Sequence, residues 1–301
     1  MPEEGIQLRD KREFMSEEEL LAIVKVFVGF GIKKIRLTGG EPLIKKNFGS
    51  ILKQLAELPV SLTMTTNGVL LDRYIDELKV AGLQKINISI DSLHADRFNE
   101  ITRRKDFERV IRNIDLTHKA GIDIKLNAVL MRDVNESEVV DFIELTKKER
   151  MHVRFIEFMP FDGNQWDWSK KVSEKEILEK VIAHFGAANV LEVDPPPNST
   201  SRNFRIKDYA STFGIISTLT NPFCDTCNRI RLTADGKIKN CLFSNDEDDL
   251  LKALREGKDI RAMIRNSIAK KHEKRAGIKS FQSNEDAEIF KANRSMTTIG
   301  G

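Results

Sequence analysis

The chain has 301 residues, 40% apolar and 32% charged, with 49 Lys and Arg against 46 Asp and Glu for a net charge of +3. That composition excludes a disordered or fibrous chain, and so small a net charge excludes a surface built to coat nucleic acid or an acidic membrane. No apolar run approaches the ~18 residues of a membrane span, the first residues carry no signal-peptide core, and three cysteines are too few for a disulfide framework. The expected setting is the cytoplasm, with thiols available for chemistry.

In chain order, residues 17–30 predict a helix behind Ser16, which forms a capping box with Glu19. Short apolar runs at 34–37, 60–65, 85–90, 124–130 and 153–158 predict strands, and helical spacing fills 51–58, 74–81, 107–120 and 137–148. Gly31, Gly82 and Gly121 stand where a left-handed residue ends a helix before the next strand. Five strand–helix alternations imply a parallel sheet, doubly wound or barrel-like, whose binding groups gather at the C-terminal strand ends. Those ends read Thr38-Gly39-Gly40-Glu41-Pro42, Thr65-Thr66-Asn67-Gly68, Ser89-Ile90-Asp91 and Glu157-Phe158-Met159-Pro160: four polar clusters on one rim. The first element is a helix with no strand before it, which is unusual for a barrel.

Beyond Ala187 the alternation fades. Pro195, Pro196 and Pro197 mark a loop or boundary. Strand-like pieces follow at 213–219, 229–232 and 238–242, the last two joined by the turn Ala234-Asp235-Gly236-Lys237. Residues 250–271 predict one helix. The acidic run 245–249 and the basic run 270–275 read as solvated faces.

The cysteines, Cys224, Cys227 and Cys241, are spaced C-x2-C-x13-C around that turn. A two-residue gap lets two thiolates face one metal, and a hairpin returns a third. Structural zinc wants a fourth ligand that no histidine spacing offers, whereas three thiolates suit a four-iron cluster with one open iron; zinc and purely structural cysteines stay open on spacing alone. Arg229 and Arg231 alternate on one strand face, as do Lys34 and Arg36, and Lys125 lies on a fourth strand. Cations on strands in a nearly neutral chain point to a small polyanion such as a nucleoside triphosphate. Neither G-x4-G-K-[ST] nor G-x-G-x-x-G occurs.

Residues 34–43 (Lys-Ile-Arg-Leu-Thr-Gly-Gly-Glu-Pro-Leu), 65–68, 87–91 (Asn-Ile-Ser-Ile-Asp), 154–161 (Arg-Phe-Ile-Glu-Phe-Met-Pro-Phe), 223–236 (Phe-Cys-Asp-Thr-Cys-Asn-Arg-Ile-Arg-Leu-Thr-Ala-Asp-Gly) and the closing Gly300-Gly301 resemble the GTP 3′,8-cyclases. These are the radical S-adenosylmethionine enzymes that begin molybdenum cofactor (molybdopterin) biosynthesis, and the resemblance runs along essentially the whole chain. It implies an α/β fold: an incomplete (β/α)6 TIM-like barrel over residues 1–194, then a C-terminal segment, 195–301, holding a second 4Fe-4S cluster. Cys224, Cys227 and Cys241 would ligate that cluster, with guanine on the open iron. Lys34, Arg36, Thr65, Lys125, Arg229 and Arg231 would contact GTP; Gly40, Ser89 and Met159 would contact S-adenosylmethionine. Arg229, Arg231, Gly300 and Gly301 would be the catalytic set, the glycine tail suiting a crowded pocket. The implied lyase reaction gives (8S)-3′,8-cyclo-7,8-dihydroguanosine 5′-triphosphate: a deoxyadenosyl radical takes the ribose C3′ hydrogen, and C3′ attacks guanine C8. The implied partners are an electron donor, a downstream cyclic pyranopterin monophosphate synthase and a second copy in a homodimer, with no nucleic acid and no membrane.

One departure is large. The family holds its radical-generating cluster on C-x3-C-x2-C after the first strand, and this chain lacks that motif. In the family the motif is followed by Met-Pro-Glu-Glu-Gly, which here is Met1 to Gly5, so the expectation is that the first strand and first cluster motif precede Met1. The chain alone is then expected not to cyclise GTP. A non-catalytic remnant that binds GTP and one cluster is the alternative. A zinc module reading nucleic acid through 270–275 is disfavoured by weak charge and the lack of interleaved aromatics.

Overall fold

The computed structural model describes residues 10–161, 164, 166–278, 283 and 293–299. The calls on Met1 to Gly5, Gly300 and Gly301 lie outside the described residues. The elements are α1 (Glu17–Gly29), β1 (Lys34–Leu37), α2 (Phe48–Ala56), β2 (Ser61–Thr66), α3 (Ile75–Val80), β3 (Lys85–Ser89), α4 (Ala95–Thr102), α5 (Phe107–Lys119), β4 (Asp123–Leu130), α6 (Val139–Glu144) and β5 (Met151–Glu157). They continue with α7 (Glu174–Phe185), β6 (Val190–Val193), β7 (Arg202–Ile206), β8 (Phe213–Ile216), β9 (Arg231–Leu232), β10 (Lys237–Lys239), β11 (Asp248–Asp249), α8 (Leu250–Arg255), α9 (Ile260–Ala269) and α10 (Met296–Ile299). None of these helices is long and apolar enough to cross a membrane among the described residues.

The described residues form two compact units. The first takes in those up to Leu62, Pro160, Phe161 and Asn164, and those from Asn228 onward; the second is Thr63–Met159 with Trp166–Cys227.

In the second unit the strands lie in the order β2-β3-β4-β5-β8-β7-β6, parallel from β2 to β8 and antiparallel from there to β6. This is the mixed α/β architecture, with a parallel sheet, expected from the sequence. Alternation makes the sheet two-faced. Ile86, Ile88, Ile124, Leu126, Val153 and Phe155 are fully buried, and the core extends through Val110 of α5 and Phe142 of α6, whose ring meets Phe155 edge-on at 6.1 Å. The opposite positions of the same strands are polar except for Val129 and Ile156, a pattern foreign to sheets buried on both sides.

The first unit joins both ends of the described chain. Ser16 and Glu19 form the expected capping box on α1, and Ile23 and Phe27 of that helix share one core with Ile238 of β10, Leu250 and Leu251 of α8, and Ile260 and Ile264 of α9. Arg255 closes the join: it donates to Glu19 at 2.7 Å and to the Arg12 carbonyl at 2.8 Å. The turn between β9 and β10 is the one predicted. Gly236 there has φ +74° and accepts from the amides of Leu250 and Leu251 at 3.0 and 3.1 Å.

Three expectations fail for local reasons. Residues 250–271 are two helices, because Gly257 is left-handed at φ +70° and Asp259 caps α9 by accepting from Arg261. Residues 137–148 hold only α6, flanked by single 3-10 turns at Glu136–Glu138 and Leu145–Lys147. The strand expected over 229–232 is only the two-residue β9, so Arg229 stands just before it and not on it. The triple-proline stretch is the loop expected, joining antiparallel β6 and β7. Helix α7, with its own Ser173–Glu176 capping box, is legible after the fact by the same signal as α1.

A methyl group on Gly236 would lie 2.2 Å from Leu251 Cβ, in a backbone region that L-residues avoid. Gly236→Ala is expected to destabilise the protein by about 2–4 kcal/mol, strain and overpacking adding. A urea midpoint unchanged from the parent would contradict this account of the turn.

Candidate functional site

On the polar face of the second unit the register builds transverse rows. Thr65 of β2 stands beside Asn87 of β3, Asn87 beside Lys125 of β4, and Lys125 beside His152 of β5. The next row runs from Ser89 to Asn127 to Arg154. Asn87 donates to Thr65 Oγ1 at 3.2 Å and Arg154 donates to Asn127 Oδ1 at 3.0 Å, so each row is linked across neighbouring strands. His152 Nδ1 lies 2.9 Å from Thr212 Oγ1. Burial first, then the charge of Lys125, holds this imidazole below the ordinary histidine value. Such a face has hydrogen-bonding capacity directed away from the helices, as a ligand site requires.

Two carboxyls sit at the C-terminal strand ends. Asp91, just past β3, accepts from the Val129 amide at 2.8 Å. The residue keeps some exposed surface, but its carboxyl is enclosed, and burial pushes it up to about 6. The loop that holds it is tied down: Asn135 donates to the carbonyls of Asp91 and Val129, and Glu138 accepts from Ser92 and from the Leu93 amide. Glu157, the last residue of β5, is 3% exposed. Its Oε2 accepts from Leu219 and Thr220 at 2.7 and 3.1 Å, while Oε1 reaches no donor among the described residues. Burial raises it too, partly offset by those amides. Two residues further on lies Met159, half-buried.

The segment that Glu157 holds leads to the thiols of this unit. Cys224 and Cys227 flank one 3-10 turn closed by the Cys227 amide donating to Cys224 O at 3.0 Å. Both are half-buried, as is Cys241 in the other unit, and none of the three forms a disulfide. Among the described residues no group of three or more His, Cys, Asp or Glu side chains is gathered as a metal site. By donor chemistry the thiols suit an iron–sulfur cluster, which takes thiolate ligands.

In the first unit, Lys34 and Arg36 alternate on β1 with exposed edges. Desolvation and then the neighbouring Arg229 guanidinium lower Arg36 from the ordinary arginine value. The like charge of Arg229, from a position far away in sequence, is thus felt at Arg36. Arg231 is on β9, whose neighbour β10 carries Lys239, buried at 1% exposure and bonded to Asn293 Oδ1 at 2.9 Å and paired with Glu247. Gly40 lies in the turn after β1, ahead of Glu41, which caps the next turn by accepting from Leu43.

Thr65, Ser89, Lys125, Met159, Cys224 and Cys227 therefore belong to one unit, and Lys34, Arg36, Gly40, Arg229, Arg231 and Cys241 to the other. Sequence reasoning missed Asn87, Asn127, His152 and Arg154. The available signal was a polar residue at every second position of an otherwise apolar strand.

Residues 3–146 match the Radical SAM superfamily, and residues 151–277 match Molybdenum Cofactor Synthesis C. The chain is 39% identical to the mitochondrial GTP 3′,8-cyclase of Arabidopsis thaliana, covering 100% of this chain and 76% of that protein. It is 44% identical to molybdenum cofactor biosynthesis protein 1 of Drosophila melanogaster over 85% of this chain, but it spans only 45% of that longer protein. In fold it is similar to Streptococcus suis SuiB bound to S-adenosylmethionine, with a TM-score of 0.54 and 14% identity over 83% of this chain and 60% of that one.

Asp91 gives a pH signature. Because the folded state raises this acid, its contribution to stability is full below the ordinary carboxylate range and is lost as pH rises through about 6. Asp91→Asn is expected to remove about 2–3 kcal/mol of the stability change across that window. Parallel urea titrations of parent and variant at acid and neutral pH check it; matching pH slopes would refute it.

Proposed function

Because the chain belongs to the GTP 3′,8-cyclase family of radical S-adenosylmethionine enzymes, we propose that it binds GTP at its strand cations and serves the cyclisation that begins molybdenum cofactor biosynthesis. What supports this reading is that desolvation, and after it the charge of Arg229, holds Arg36 below the ordinary arginine value. A polyanion bound there would favour the charged form of both guanidiniums. Within that unit Lys34, Arg36, Arg229 and Arg231 are the proposed contacts to GTP; within the other, Thr65 and Lys125 are.

Cys224, Cys227 and Cys241 would hold a 4Fe-4S cluster, and Gly40, Ser89 and Met159 would contact S-adenosylmethionine. When bound, these groups supply the radical chemistry and a metal-held guanine. The protein's own part is positional. Guanidiniums fix the phosphates bidentately, the linked polar rows limit side-chain motion, and Asp91 and Glu157 hold the loops at the strand ends. Gly300 and Gly301 are proposed to complete the catalytic set with Arg229 and Arg231. An electron donor, a downstream cyclic pyranopterin monophosphate synthase and a homodimeric assembly complete the proposal, in a reducing compartment such as the cytoplasm.

The three cysteines are enough for one cluster. We therefore propose that these 301 residues, assayed alone, bind GTP without converting it. The test is anaerobic reconstitution with iron and sulfide. The expected result is about four irons and four sulfides per chain, measurable GTP affinity, and no cyclised nucleotide. Arg229→Ala and Arg36→Ala should each weaken GTP binding by about 10- to 100-fold, the worth of a lost charge-assisted contact. Zinc without sulfide, or GTP affinity indifferent to both arginines, would overturn the reading. Product formed by this chain would overturn its proposed dependence on a further cluster.

A further inference from the structure

The row Thr65, Asn87, Lys125, His152 crosses four parallel strands at one level. Strand alternation places all four on the polar face, and the sequence-based reading used only its first and third members. His152 closes the row and is half-buried.

Its surroundings fix its protonation. The Thr212 amide donates toward Nδ1 at 3.4 Å and the Thr212 hydroxyl lies 2.9 Å from the same nitrogen, so the neutral ring carries its hydrogen on Nε2. The charged groups around it are Lys125 and Asp123 on β4, Lys85 on β3, and Arg154 on its own strand. The residue facing it from the segment before β8, Thr212, brings a hydroxyl and no charge. Asp123 is drawn off in part by Lys85 and Arg150, which pair with it at 3.8 and 3.9 Å. Three cations against one shared carboxylate, with burial, keep the ring neutral without a ligand.

A polyphosphate seated against Lys125 would reverse the local field. Once the ring is charged, the Thr212 hydroxyl, a donor to the neutral ring, turns to accept from Nδ1–H at 2.9 Å, and the longer 3.4 Å bond from the Thr212 amide is given up. Nε2–H remains to donate to the phosphate. We propose that His152 is a proton-linked member of the polyphosphate site: the neutral imidazole binds one proton as the nucleotide's phosphates bind, and the resulting imidazolium donates to them. This rests on the GTP reading and adds to it a residue, a proton and a direction of pH dependence. GTP affinity should rise as pH falls through the histidine range, because the bound state holds the extra proton.

The test is calorimetric titration of the anaerobically reconstituted chain with GTP and with guanosine, in two buffers of different ionisation enthalpy, which counts protons taken up. The parent should take up a larger fraction of a proton with GTP than His152→Gln does, and the two should agree with guanosine. His152→Gln should weaken GTP binding by about three- to tenfold near pH 6.5 and by less near pH 8.5. Thr212→Val, which keeps the ring and removes its hydroxyl partner, should lower the uptake while leaving the guanosine response unchanged. Equal uptake by parent and His152→Gln, with GTP still bound, would overturn the inference alone. Absence of GTP binding by the parent would overturn the GTP reading and the inference together.

Discussion

The second unit depends on the two-sidedness of its parallel strands. A parallel sheet is ordinarily apolar on both faces, since helices cover both. Here β2 to β5 bury Ile86, Ile88, Leu126 and Phe155 on one face and carry Asn87, Lys125, Asn127 and Arg154 on the other. A slip of one residue in any strand would drive cations into the helix-covered core and leave isoleucines on the polar face. The penalty for that error is several kcal/mol for each buried charge (roughly, by the cost of desolvation), so the apolar face fixes the register and the register fixes the rows. The binding face is thus a by-product of correct packing, and its geometry is as rigid as the core behind it.

The first unit solves a different problem. Of its cations, Lys34, Arg36 and Arg231 sit on short strands, β1 and β9, of four and two residues, and Arg229 stands just before β9. Strands this short cannot hold guanidiniums in place by themselves. Their support comes from the core shared by α1, α8 and α9 and from the Arg255 clamp, which ties the chain near Arg12 to a helix about 240 positions later. Lys271 adds a bond from its ammonium to the Arg229 carbonyl at 2.9 Å. The close packing of Gly236 beneath Leu251 keeps the β9–β10 hairpin against α8.

Much of this was legible in the sequence because its periods are clean. The five predicted strands, the capping box at Ser16 and the left-handed Gly31, Gly82 and Gly121 all stand in the structure. What escaped had weaker local signals. Gly257 lies inside an apolar pattern that continues on both sides of it, and only its φ shows the break. Antiparallel β6 and β7 surround prolines that read as a boundary. The polar rows needed register, which no single strand reveals: Lys125 is conspicuous alone, whereas His152 gains meaning only beside it. Glu157 looks like one more acidic strand end until its Oε1 proves to have no donor among the described residues. The family itself was legible from contiguous motifs, which survive without any knowledge of packing.

The like-charge pairs carry one further consequence. Desolvation and the charge of Arg229 disfavour the charged form of Arg36, as burial and Lys125 disfavour the charged form of His152. An anion bound beside either group would offset that cost, so its own charge adds to its binding energy. That offset also grades ligands by charge, since a nucleoside gains none of this relief and a triphosphate gains most. Salt would act on the same term, because mobile anions screen exposed guanidiniums before any nucleotide arrives. Selectivity for a polyanion over a neutral nucleoside therefore follows from the placement of these charges.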